Sequence, residues 1–246
     1  MGLYKLASRL FGFNPEVYFK QKGRVELSKQ VFDYRSANQI EEDARKLLWI
    51  IYKRVDGVDT IIGILRGSSY PLRVATDVFR DAEFYFMRVE SYTGVGKSIE
   101  PRITQGVPRE AVRGKKVLVV EEVVDTGETM KTVKGYLDSM DPKRVITAAL
   151  DYKPWSGTKP DFFQRVSPYW IVYSYEVYEI IREIMESNVP VSEKIKILWR
   201  TGIPLPEIKK IVEDEYGYRI GVMDYLQLPL SLIHISEPTR PRLISY

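Results

Sequence analysis

The sequence predicts an α/β fold, an open, mainly parallel twisted sheet flanked by helices. Three observations predict it. The aliphatic runs at residues 59–65, 117–120 and 145–150 have the length and continuity of strands buried on both faces. Stretches with helical spacing of apolar residues alternate with them, the pattern of parallel strands joined by crossover helices. Two strand ends run directly into short Gly-containing loops that open a helix, Arg66-Gly67-Ser68-Ser69 and Asp125-Thr126-Gly127-Glu128-Thr129.

Composition narrows the function classes. A chain of 246 residues with 44% hydrophobic content can bury one substantial core, or one core with an appendage. The absence of cysteine excludes disulfides, thiol nucleophiles, thiolate zinc sites and iron–sulfur clusters. No run approaches the apolar length of a membrane span, and Met1-Gly2-Leu3-Tyr4-Lys5-Leu6 lacks a signal-peptide core, so a cytoplasmic location and no membrane partner are expected. The net charge of +4 is interspersed along the chain, and no nucleic-acid partner is expected from it.

The last segment is set apart. Leu230-Ser231-Leu232-Ile233-His234-Ile235-Ser236-Glu237-Pro238-Thr239-Arg240 resembles the in-frame translation of a sequencing adapter, with Pro241-Arg242-Leu243 as a barcode and Ile244-Ser245-Tyr246 as its continuation. Residues 230–246 are therefore left out of the fold reasoning. Their two arginines and one glutamate account for one positive charge, which takes +4 to +3. They also hold the single histidine, so acid–base chemistry falls to carboxylates, Lys or Tyr.

Taken in order, residues 1–35 mix aromatic and basic side chains with little periodicity and read as an N-terminal arm. At Ser36 a helix begins. Ser36 and Gln39 have the spacing of a capping box, and Ile40, Ala44, Leu47, Leu48 and Ile51 line one face. The strand at 59–65 follows, then the Arg66-Gly67 loop and a helix over 71–79. Residues 83–89 form an aromatic-rich strand. The polar stretch 93–108 reads as a mobile flap. Its Gly96-Lys97-Ser98 imitates a nucleotide-binding P-loop, but the first glycine of that motif would fall at Ser91, and Pro101 spoils the helix that must follow. After the strand at 117–120 and its loop, Met130, Val133, Tyr136, Leu137 and Met140 give a helix its core face, and Asp141-Pro142 stops it. The strand at 145–150 precedes Asp151-Tyr152-Lys153-Pro154-Trp155, then Lys159-Pro160-Asp161-Phe162-Phe163 and the aromatic run 168–176. A helix over 177–187 follows. Two short amphipathic helices within 191–216 flank Thr201-Gly202-Ile203-Pro204. Their basic residues are interleaved with Glu and Asp, which favours a helical cap or dimer contact over a DNA-reading motif.

The segment Glu121-Glu122-Val123-Val124-Asp125-Thr126-Gly127-Glu128-Thr129 carries the functional argument. A loop feeding a helix N-terminus presents unpaired N–H groups to an anion, and ligands in open parallel sheets sit beyond the carboxyl ends of strands. These residues therefore ask for a phosphate beside something that carboxylates can hold. The segment resembles the ribose-phosphate signature of the type I phosphoribosyltransferases, an acidic pair, two apolar residues and then Asp-Thr-Gly-x-Thr. The order of Lys153, the run from Lys159 to Phe162 and Trp170 resembles the archaeal-like 6-oxopurine group of that family.

The resemblance implies the type I fold with a small hood, which places a phosphoribosyltransferase core at 36–190 and a C-terminal helical extension at 191–229. It implies transfer of the 5-phosphoribosyl group from phosphoribosyl diphosphate to a 6-oxopurine base, with Mg2+ as cofactor and a homodimer or higher homo-oligomer as the assembly. Leu65, Arg66 and Gly67 would hold pyrophosphate, in a loop with a non-proline cis peptide at Leu65-Arg66. Ser91 and Tyr92 match the root of the family's flap, with Lys97 and Arg102 as further phosphate contacts. Glu121 and Glu122 would hold the ribose hydroxyls, directly or through metal, and Thr126, Gly127, Glu128 and Thr129 would cradle the 5′-phosphate. Asp125 would be the general base or proton partner at the purine N7. Lys153 would bond the purine 6-oxygen, Trp170 would stack on the base, and Ile171 would offer it backbone groups. Glu176 stands where the family has an acid near base and metal, and Arg182 matches an arginine that contacts pyrophosphate. One departure is Glu122, since the second acid of the pair is usually Asp and Glu reaches one methylene farther. Two alternatives stay open, a phosphoribosyl diphosphate-sensing transcriptional regulator and an enzyme for another base such as adenine or orotate.

Overall fold

A computed structural model of the protein describes residues 31–90, 93–94, 97–98 and 101–221. Ser91, Tyr92, the arm over 1–30 and the segment 222–246 lie outside the described residues, and so does the side chain of Lys97. The described residues fall into two compact units, one of residues 36–168 and one of residues 31–35 with 169–221.

The first unit is built on a six-stranded sheet in the order β6-β3-β2-β7-β8-β9. Its strands are β2 (Thr60–Leu65), β3 (Glu83–Glu90), β6 (Arg102–Gln105), β7 (Lys116–Val124), β8 (Arg144–Tyr152) and β9 (Phe162–Val166), and all pairings are parallel except that of β3 with β6. A small hairpin of β4 (Thr93–Gly94) and β5 (Lys97–Ser98) stands beside it in sequence. Helices α1 (Ala37–Arg54), α2 (Ser69–Val78) and α3 (Glu128–Asp138) complete the unit. Helix α1 opens on the expected capping box: Ser36 accepts from the Gln39 backbone N–H at 3.4 Å, and the Gln39 side chain accepts from the Ser36 N–H at 2.9 Å.

The centre of the sheet shows why these residues form strands. Val117 and Val119 join one apolar cluster with Met130, Val133 and Leu137 of α3, while Leu118 and Val120 alternate with them and are equally buried. A strand buried on both faces has no polar alternation to show, as the continuous aliphatic run indicates.

Several element limits differ from expectation. Strand β7 runs four residues past the aliphatic run, so Glu121 and Glu122 lie inside it and do not close it; pairing with β8 carries the strand on through Val123 and Val124. The stretch expected as a flap contributes β6, an antiparallel edge strand on β3, because a partner strand supplies hydrogen bonds that local composition does not reveal. Phe162–Val166 is also a strand, completed by its pairing with β8. Helix α2 starts two residues earlier than expected, at Ser69, and α3 ends at Asp138, with Asp141 in a left-handed conformation just beyond.

The second unit pairs β1 (Phe32–Arg35) in parallel with β10 (Trp170–Tyr173) and adds helices α4 (Val177–Glu186), α5 (Val191–Arg200) and α6 (Leu205–Tyr216). The end of the expected N-terminal arm is thus a strand. Val172, Ile180, Ile181, Ile184, Leu198 and Ile211 share one buried cluster, so residues 169–190 pack with the C-terminal helices. Gly202, at φ 78°, links α5 to α6; a Cβ there would also come within 2.9 Å of the Tyr34 Cβ. Among the described residues no helix is long and apolar enough to cross a membrane.

Candidate active site

The site residues of the first unit gather at the carboxyl ends of β2, β7 and β8, which are neighbours and run parallel. Pairing of β7 with β2 ends at Gly63 opposite Val120. Glu121 and Glu122 come next, where the sheet has opened on that side. The chain leaving β2 turns through Leu65, Arg66 and Gly67 into this space. The Leu65-Arg66 peptide is cis, as the resemblance implies. Backbone and hydroxyl bonds tie the turn together: Ser68 N–H donates to the Ile64 carbonyl at 3.1 Å, and Ser69 Oγ donates to the Arg66 carbonyl at 2.8 Å.

Gly67 is the point of closest approach. A methyl group on it would overlap the Glu122 carboxylate, so the extra methylene that sets Glu122 apart carries its acid group to the Gly67 backbone. Gly67→Ala is expected to displace that carboxylate and to lower turnover by roughly 100-fold, the cost of an ångström-scale misplacement at a reacting centre. Steady-state kinetics on a variant with a near-normal melting profile checks it; wild-type turnover would show that the approach is irrelevant to activity.

A third carboxyl group, that of Asp125, crowds the acid pair. Burial first, and then the charges of Glu122 and Asp125, push the Glu121 carboxyl up to about 8 from its ordinary 4.5. Such a cluster suits a ligand that brings positive charge. One or two carboxylates completed by substrate phosphates is a common way to hold Mg2+, and the hard oxygen donors of Glu121 and Glu122 fit it. Among the described residues no group of three or more His, Cys, Asp or Glu forms a full protein cage, so an ion here would be completed by phosphate oxygens.

The Asp-Thr-Gly-Glu-Thr loop follows. Gly127 adopts φ 86°, a left-handed conformation that favours glycine, and caps the N-terminus of α3. A side chain there would also strike the next loop, within 2.6 Å of Thr158 Cβ and 2.7 Å of Ser156 Oγ. Thr126 Oγ1 accepts from the Glu128 N–H at 3.4 Å. Thr129 is partly buried in the first turn of α3, while Glu128 is exposed. With the free N–H groups of a helix start, this is an anion-binding arrangement.

Lys153 is buried just beyond β8, its Nζ 5.6 Å from the centre of the Trp155 ring. Trp155 itself is buried, and its indole N–H donates to Asp125 Oδ1 at 2.7 Å. Sequence reasoning assigned Trp155 no role, because an aromatic residue at a strand end is most often packing. Asp151 and Arg165 were missed in the same way: they face each other across β8 and β9, and Arg165 Nε donates to Asp151 at 2.8 Å. Asp161, in the Lys159-to-Phe162 run, accepts from the N–H and hydroxyl of Thr147 and so fixes that run to β8.

The remaining residues belong to the second unit. Trp170 and Ile171 open β10, opposite Phe32 and Asp33 of β1, and Trp170 N–H donates to the Val31 carbonyl at 2.9 Å. Glu176 stands at the N-cap position of α4, without a side-chain capping bond. Arg182 forks onto the Glu215 carboxylate at 2.8 and 2.6 Å, an ion pair between α4 and α6.

A mainly parallel sheet thus carries an acid pair near the carboxyl end of its central strand, a glycine-capped helix start after it and a glycine turn facing it. The chain belongs to the phosphoribosyl transferase domain family, whose model matches residues 33–179. Among similar proteins, the hypoxanthine-guanine phosphoribosyltransferase of Pan troglodytes is 30% identical over 134 residues, 52% of this chain and 58% of that protein. The hypoxanthine phosphoribosyltransferase of Haemophilus influenzae is 32% identical over 104 residues, 42% of this chain and 57% of that one. The chain thus spans less than two thirds of the length of these curated relatives. A crystal structure of a purine phosphoribosyltransferase from Pyrococcus horikoshii superposes with a TM-score of 0.53 at 26% identity, covering 58% of this chain and 93% of the other.

Proposed function

We propose that the protein is a purine salvage enzyme that transfers the 5-phosphoribosyl group of phosphoribosyl diphosphate to a 6-oxopurine base and releases pyrophosphate. The observation that carries this reading is the contact of Gly67 with Glu122, which sets the glycine turn against the acid pair beside the phosphate loop. The names of the relatives, which specify hypoxanthine and guanine, support the choice of base.

In the reaction the bond from ribose C1′ to pyrophosphate breaks, its electron pair leaves with pyrophosphate, and a bond from C1′ to the purine nitrogen forms. The sugar becomes cation-like at the transition state, as in glycoside transfer. Glu122, and Glu121 once the developing positive charge draws off its proton, favour that charge and bind the ribose hydroxyls. The turn at Leu65, Arg66 and Gly67 receives the leaving pyrophosphate, with Arg66 supplying fixed positive charge. Thr126, Gly127, Glu128 and Thr129 hold the 5′-phosphate through N–H and hydroxyl donors. Asp125 accepts the proton that the purine loses, at N7. Lys153 donates to the purine 6-oxygen, an acceptor that a 6-amino base lacks. Glu121 and Glu122 would hold Mg2+, which would supply neutralisation of the pyrophosphate charge when bound. The same reading carries a cytoplasmic enzyme that assembles as a homodimer or higher oligomer.

The test is a base panel on the full chain with labelled phosphoribosyl diphosphate and Mg2+. Nucleotide and pyrophosphate are expected with hypoxanthine, guanine or xanthine and not with adenine or orotate. Pyrophosphate release from no base, together with retention of DNA at moderate salt, would replace the enzyme with a ligand-sensing regulator.

A further inference from the structure

We infer that Trp155 is the positioning residue of this site, holding the Asp125 carboxylate in the orientation in which it takes the purine's proton. The inference rests on the reaction proposed above. Its basis is the way the loop after β8 closes on residue 125 from three directions. Lys153 N–H donates to the carbonyl of Val124 at 3.0 Å, and Gly157 N–H donates to the carbonyl of Thr126 at 2.9 Å, so the residues on either side of Asp125 are both tied to one loop. Between those two ties Trp155 reaches the side chain itself, Nε1 to Oδ1 at 2.7 Å. Ser156 and Thr158 of the same loop leave no room for a side chain at Gly127, which holds the phosphate loop at a set distance.

The chemistry of the donor matters. An indole N–H only donates and does not titrate in the working pH range, so it engages one carboxylate oxygen without competing for the proton that the other receives. Trp155 is 2% exposed, and a buried indole N–H without an acceptor is costly, so the bond constrains both partners. The ring also carries Lys153 Nζ near its centre, within the range of a cation–π contact. One buried side chain therefore touches both the proton acceptor and the lysine assigned to the purine 6-oxygen.

Two replacements test this on the full chain. Trp155→Phe keeps an aromatic ring and removes the donor; benzothienylalanine at position 155 puts sulfur in place of the N–H at nearly unchanged shape and guards against a folding defect. Turnover is expected to fall roughly 10- to 100-fold in both, the worth of a hydrogen bond to a charged group, with KM for phosphoribosyl diphosphate changed by no more than about twofold. In an Asp125→Asn background the same replacements are expected to cost nothing further, because no proton acceptor is left to orient. Equal losses in both backgrounds, or unchanged turnover in the benzothienyl protein, would overturn the inference. A readout independent of activity is the indole N–H resonance of Trp155, which should move upfield when Asp125→Asn replaces a charged acceptor with a neutral one. A resonance that stays put overturns the contact. A resonance that moves in a protein inactive toward every base upholds the contact and overturns the assigned reaction instead.

Discussion

Asp125→Asn is expected to lower turnover by about 100- to 10,000-fold, the usual contribution of a positioned acid–base group, and to leave the fold intact. The two halves of this expectation have separate causes. Asn keeps the size of Asp and an oxygen that still accepts the Trp155 N–H, so the loop contacts around residue 125 survive. What is lost is the capacity to take a proton, and the protein without its terminal segment has no histidine to substitute. KM for phosphoribosyl diphosphate should change little, since the proposed contacts to the 5′-phosphate and pyrophosphate lie on other residues. Near-normal turnover would remove Asp125 from the mechanism. A large loss accompanied by a collapsed melting transition would move it to a structural role.

Glu121→Gln is expected to make the protein more stable and less active at once. The Glu121 carboxyl is pushed up to about 8, so its sign in the linkage is the reverse of the usual carboxylate. At acid pH both folded and unfolded chains hold the proton, and there is no effect. As pH rises through the ordinary carboxylate range, the unfolded chain releases the proton while the folded one keeps it, and stability falls steadily. The full penalty is reached above about 8. At about 1.4 kcal/mol per pH unit, the penalty at neutral pH is on the order of 3 kcal/mol. Gln is neutral throughout and removes it. Melting curves of the two proteins should coincide near pH 4.5 and separate progressively toward pH 8, with the variant higher by roughly 5 °C or more. Parallel curves across that window would show that Glu121 ionises normally. Activity should fall by about 100-fold or more, because a cationic ligand can draw the proton off Glu121 and leave a carboxylate facing it, whereas an amide stays neutral. A site that buries a carboxyl beside two others loses stability to do so.

Much of the scaffold was legible because it depends on neighbours in sequence. The capping box at Ser36 and Gln39, the aliphatic run of β7 and the apolar face of α3 are short-range patterns, and each appears where local spacing puts it. The Asp-Thr-Gly-Glu-Thr loop is equally local: a glycine with positive φ at a helix start needs no distant partner to be recognised. Limits that depend on pairing were harder to read. Strand β7 extends through a Glu-Glu pair because β8 continues beside it, and β6 exists because β3 offers an edge.

The sequence by itself determined the strand–loop–helix order, the acid pair, the Asp-Thr-Gly-Glu-Thr loop and the want of thiol chemistry, since all of these are properties of residue type and short spacing. Only the tertiary structure decided that Gly67 meets the Glu122 carboxylate, that Trp155 holds Asp125 from a loop thirty residues away, and that residues 169–190 pack with the C-terminal helices. The physical reason is common to all three. Hydrogen bonds and close contacts between distant segments depend on how strands register in the sheet and how loops cross its end, and side-chain direction at such crossings is set by packing rather than by propensity.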